Sequence, residues 1–149
     1  MPTACSEPHA PLPPGPPPDT IRVNIGGRTF ELELAIDVAD QVKGLGGRDR
    51  IDPQGGMIFL YGRPVRHGFV MRDCPVPIDI IFVDPGGGIV ATHQMQPEPG
   101  RPEEALKVYS SDWPFQYAIE LAGGSLDELA LEPGGKIDLP LAELKRWVP

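Results

Sequence analysis

Apolar and polar residues alternate with a period of two near the start of the chain. Ile21, Val23 and Ile25 are spaced by Arg22 and Asn24, and Phe30, Leu32, Leu34 and Ile36 share one parity while Glu31 and Glu33 take the other. Successive side chains of an extended chain point to opposite faces, so this pattern predicts two half-buried antiparallel strands. Gly26-Gly27 between them suits a tight hairpin turn, which requires positive φ. Asp37 then stands where its side chain can cap a short helix over Val38–Val42, with Gly44 and Gly46-Gly47 placed to end it. Short strands are also predicted at Met57–Leu60, His67–Met71, Ile78–Val83, Ile89–His93, Leu106–Tyr109, Gln116–Leu121 and Lys136–Leu139. The Ile78–Val83 run is apolar on both faces except at Asp79. Ser125-Leu126-Asp127-Glu128 has capping-box spacing and predicts one further helical turn over Ser125–Leu129. Eight or so short strands punctuated by turns predict an all-β fold: an antiparallel β sandwich or closed barrel with one or two short helices.

The chain has 149 residues, 40% of them hydrophobic, which suits one domain with a sizeable core. Twenty prolines and eighteen glycines exceed average usage. Several prolines crowd the first eighteen residues, so residues 1–20 read as a disordered proline-rich tail or tether. Residues 21–140 read as a single β domain and 141–149 as a C-terminal extension.

The net charge of −8 argues against a nucleic-acid partner, which requires clustered positive charge. Charge is nevertheless uneven. Lys43, Arg48, Arg50, Arg63, Arg66 and Arg72 face only Asp49 and Asp52 between positions 43 and 72, a local balance of +4. Such a segment can be interspersed surface charge or a surface suited to a small anion or an acidic partner.

Candidate chemistry is sparse. Asp79 lies in a strand otherwise suited to burial, and Glu120 alternates with Tyr117, Ile119 and Leu121. A buried carboxylate must be paired, hydrogen-bonded or neutralised. Each is therefore a structural acceptor or an acid–base group, and the two could form a couple if they converge. His67, Cys74 and His93, with Asp79, could supply metal ligands, but their spacing lacks the close pairs of zinc sites; no metal and no cofactor is expected. Cys74 lacks an obvious activating base and reads as a packed thiol. Met57 and Met71 read as core. The glycine clusters lack the context of a phosphate-binding loop.

A resemblance to a known family is carried by several segments. Phe69, Met71, Pro77, Asp79 and Phe82, followed by Asp84 and a glycine turn, resemble the signature of the domain-of-unknown-function family 192. Gly44-Leu45 with Arg48, Gly56-Met57-Ile58-Phe59, Tyr117-Ala118-Ile119-Glu120-Leu121 with Gly123, and Gly134-Gly135 are similar to its other segments, in order, over roughly residues 21–140. Val70 departs from the family's usual tryptophan, and Asp73-Cys74 from its Asn-Thr. The resemblance implies a compact β domain and no established activity.

These readings lead to a non-enzymatic binding or accessory module for a small anion or a protein partner. Its candidate binding residues are Arg66, Arg72, Asp73 and Cys74. The alternative is a small hydrolase or lyase using Asp79 with Glu120 or His67. A monomer is expected. Thr3-Ala4-Cys5-Ser6 is similar to a lipoprotein cleavage region, with Pro8–Pro18 as a spacer. The domain is thus expected in the cytoplasm as the sequence is written, or lipid-anchored through Cys5 outside it if a signal segment precedes Met1.

Overall fold

The computed structural model describes residues 15–149; Cys5 and the start of the proline-rich run lie outside them. Six strands form one mixed sheet: β1 (Thr20–Ile25), β2 (Arg28–Ala35), β3 (Met57–Val65), β4 (Ile78–Val83), β5 (Ile89–Met95) and β6 (Phe115–Ala122). Their spatial order is β1-β2-β3-β6-β4-β5. Helices α1 (Val38–Lys43), α2 (Ser125–Leu129) and α3 (Leu141–Trp147) complete the fold with a 3-10 turn at Glu103–Ala105.

The hairpin forms where the alternation places it, with Ile21, Val23, Ile25, Phe30 and Leu32 buried and Arg22, Asn24 and Glu31 exposed. Its turn is closed by Gly26 and Gly27 at φ +58° and +85°, a conformation that a side chain would strain. Asp37 caps α1 by accepting from the Asp40 amide at 2.8 Å, and Gly44 ends the helix.

The chain is mostly β, yet the sheet is open, with β1 and β5 at its edges. It is neither a two-sheet sandwich nor a closed barrel. The β2–β3 pair is also parallel, which an all-antiparallel fold would not contain. Parallel neighbours require a crossover connection, here α1 and the loop after it, and a crossover places non-strand chain over the sheet. Both faces are covered accordingly. Ile58, Ile81, Ile119 and Leu121 pack on one side with Leu126, Ile137 and Leu144 from the C-terminal segment. Phe59, Ile80, Phe82 and Ala118 pack on the other with Leu45, Met71 and Tyr109 from the long loops. Continuous apolar runs at Met57–Leu60 and Ile78–Val83 are the mark of burial on both faces.

Three expected strands reduce to less. The His67–Met71 and Leu106–Tyr109 segments meet only at the Phe69–Tyr109 bridge, and Lys136 forms a single bridge to Gly88. Residues 141–149, read from sequence as an extension, contain α3, whose Leu144 is fully buried. Met57 and Met71 are core residues, as expected. Among the described residues no helix is long and apolar enough to cross a membrane.

Candidate functional site

The register of the sheet separates the two candidate carboxylates. Asp79 lies opposite Leu121 on β6 and Gln94 on β5, whereas Glu120 lies opposite Ile80 on β4 and Met57 on β3. Directly opposed residues share a face and successive residues alternate. Asp79 and Glu120 therefore point to opposite sides of the sheet, and no acid–base couple of the two exists.

Asp79 is 1% exposed. Its Oδ2 accepts from the Leu126 amide at 2.8 Å, within a group of amides that includes Gly124 and Ser125. Helix α2 has no cap from its own N-terminal side chains; Ser125 instead donates to the Ala122 carbonyl at 2.6 Å. Asp79 thus takes the capping role from a strand 47 residues away. Burial raises its pKa above the ordinary aspartate value, and the three amides oppose that rise.

Glu120 faces a cleft of about 360 Å³ between α1 with Gly44-Leu45 and the loop His67–Cys74. The α1 wall is held in place by Gln41, whose amide donates to the carbonyls of Ala35, Ile36 and Leu60 at 3.3, 3.2 and 2.9 Å. Phe59, Tyr61, His67 and Phe69 contribute ring surface. Phe69 stacks edge-on against Phe59 with ring centroids 5.2 Å apart, and Tyr61 tilts against His67 at the same separation. Gly44, at φ +50°, leaves space above the carboxyl, since a Cβ there would stand 3.4 Å from Oε2.

Glu120 is the buried polar residue of this cleft, only 6% exposed. Its Oε2 has no hydrogen-bond partner among the described residues. Burial pushes its pKa up to about 7, opposed by the Leu45 amide and by the charge of Arg48. Arg48 does not neutralise it, because Nη1 and Nη2 of its guanidinium are both bound to Glu33, at 2.5 and 3.0 Å. Tyr61 is raised to about 12 by burial and by Glu120.

The other sequence candidates divide. His67, Arg72 and Cys74 line the same cleft as Glu120. Asp73, at φ +53°, instead borders a neighbouring hollow with Arg72 and Cys74. Arg66 stands apart and donates to the Asp112 carbonyl at 3.2 Å. Arg72 is committed to Glu103 through its Nε at 2.7 Å and a second contact from Nη2. Burial pushes the Cys74 thiol up to about 11, reinforced by Glu120 and Asp73, which favours the thiol over the nucleophilic thiolate. His93 binds the Ser110 carbonyl at 2.7 Å. Among the described residues no three His, Cys, Asp or Glu side chains converge to hold a metal ion. Gln41, Gly44, Tyr61 and Phe69 were not readable as site residues, since only the fold brings them to Glu120.

A mostly-β domain built on one mixed sheet, with a carboxyl-floored cleft beneath its crossover, is the class defined by these features. The chain belongs to the DUF192 family, described as Uncharacterized ACR, whose model matches residues 21–139. No curated protein matches it. Its structure is similar to that of a candidate transcription regulator from Sinorhizobium meliloti, at 28% identity and a TM-score of 0.66 over 78% of this chain and 89% of that one. It is also similar to a protein of unknown function from Novosphingobium aromaticivorans, at 29% identity and a TM-score of 0.69, covering 80% and 84%.

Proposed function

We propose that this protein is a non-catalytic binding module whose ligand is a small molecule seated in the Glu120 cleft. One observation carries this reading: the unpartnered Oε2 of Glu120 beneath an aromatic-walled cavity. An unsatisfied buried acceptor costs about 1–3 kcal/mol. A fold keeps such a group most readily where an outside donor meets it, and strongly perturbed groups gather at functional sites. The cleft volume lies at the small end of the range for ligand sites.

An anion fits the floor less well, since ionised Glu120 repels it and Arg72 is already paired with Glu103. If the label of the Sinorhizobium protein extends to this chain, the cleft is an effector site. Direct DNA contact is disfavoured by the net charge of −8. A second reading, a small hydrolase or lyase, would use Glu120 and His67, which share the cleft. A carboxyl titrating near neutrality suits general acid–base work, but Cys74 supplies no nucleophile and Asp79 lies across the sheet.

A fragment screen by amide NMR tests the binding reading. Bound fragments should perturb Gly44, Leu45, Tyr61, Gly68 and Phe69. Val70→Trp, which places a large ring on the cleft wall, should leave the protein folded and remove those responses. Fragments that gather elsewhere, or that bind the Val70→Trp variant unchanged, would refute it.

A further inference from the structure

Resting on the cleft-binding reading, we infer that the ligand is a small organic cation: an ammonium group on an apolar body, with the ammonium paired to the Glu120 carboxylate at the cleft floor. The carboxyl is only 6% exposed, and its Oε2, itself shielded from solvent, has no hydrogen-bond partner among the described residues, so the group lacks a full complement of donors. An ammonium supplies three donors and a compensating charge. The surrounding surface suits a cation. The rings of Phe59, Tyr61 and Phe69 line the cleft, and an aromatic face attracts a positive charge near its centre.

The basic residues nearby do not pre-empt the site. Arg48 is bidentate on Glu33, Arg72 holds Glu103, and Lys43, on the cleft wall, makes no ion pair with Glu120 among the described residues. The apolar body also has a place. Val38 and Val42, 75% and 64% exposed, stand four residues apart on α1 at the cleft mouth, where i, i+4 residues share a helix face.

The chemistry predicts a proton linkage. Burial holds Glu120 near 7, whereas the ammonium binds its ionised form. Binding below that value therefore releases a proton from the carboxyl, and affinity rises with pH until Glu120 is ionised. The other titratable groups facing the cleft are Tyr61, His67, Cys74, Lys43 and Arg72, so the test must separate Glu120 from them.

Three phenyl probes of similar size make the test: phenethylamine, 2-phenylethanol and phenylacetate, titrated into the full chain by NMR between pH 5.5 and 8. Phenethylamine should bind at least about tenfold tighter than the alcohol at pH 8, with phenylacetate weakest. Its affinity should rise with pH, and Glu120→Gln should remove both the preference and the rise. Equal binding of amine and alcohol, or preference for phenylacetate, would overturn the cation inference while leaving the cleft a binding site. A pH rise that persists in Glu120→Gln would transfer the linkage to another group, such as His67, and overturn the role of Glu120. If none of the three perturbs cleft residues at millimolar concentration while the fragment screen does find ligands there, the cation inference fails alone. Silence in both experiments defeats both readings.

Discussion

Replacing Asp79 with alanine should destabilise the fold by about 2–3 kcal/mol, the sum of a lost helix cap and buried amides left without an acceptor. Asp79 is buried, its Oδ2 binds the Leu126 amide at 2.8 Å, and α2 has no side-chain cap of its own. Helix α2 in turn brings Leu126 into the core beside Ile137 and Leu144, so the loss extends beyond one hydrogen bond. Urea denaturation should show a lower midpoint with an unchanged slope, as expected when stability rather than compactness changes. Asp79→Asn retains a carbonyl acceptor and should lose less than half as much. An alanine variant as stable as the parent would remove the capping role.

Glu120→Gln should have the opposite sign, and its effect should depend on pH. The carboxyl is raised from 4.5 in the unfolded chain to about 7 in the fold. Between those values the native state binds more protons than the unfolded state, so stability falls as pH rises through that window. The loss is complete above about 7 and amounts to about 3 kcal/mol at most. The glutamine variant carries no such penalty. It should match the parent near pH 4.5 and exceed it by about 2–3 kcal/mol at pH 8. Parallel stability profiles for the two proteins would show that Glu120 is solvated or paired. A residue that weakens the fold at neutral pH is most simply explained by what it binds.

The local features of the fold were legible. The alternation in Ile21–Ile36, the glycine turn and the Asp37 cap are short-range signals, and the structure contains each of them. The open sheet was not legible, because the parallel β2–β3 pairing depends on how the segment between Ala35 and Met57 crosses over. That segment reads equally well as a loop between antiparallel strands. The Ser125-Leu126-Asp127-Glu128 pattern pointed to a real helix for an incomplete reason, since its cap comes from Asp79. Likewise Asp79 and Glu120 stood out as carboxylates in apolar strands. Only the register shows that one faces α2 and the other the cleft. The basic segment from Lys43 to Arg72 suggested an anion site, yet Arg48 and Arg72 are paired with Glu33 and Glu103, acids that lie outside that segment.

Glu120 is a buried carboxyl at the floor of a cleft, with one oxygen unpartnered among the described residues. Its side-chain carboxyl carbon, followed by NMR across pH 4 to 9 in the ligand-free protein, tests this most directly. A midpoint near 7 is expected, with the signals of Tyr61 and Leu45 moving in the same titration. A midpoint at the ordinary glutamate value of 4.5 would contradict it.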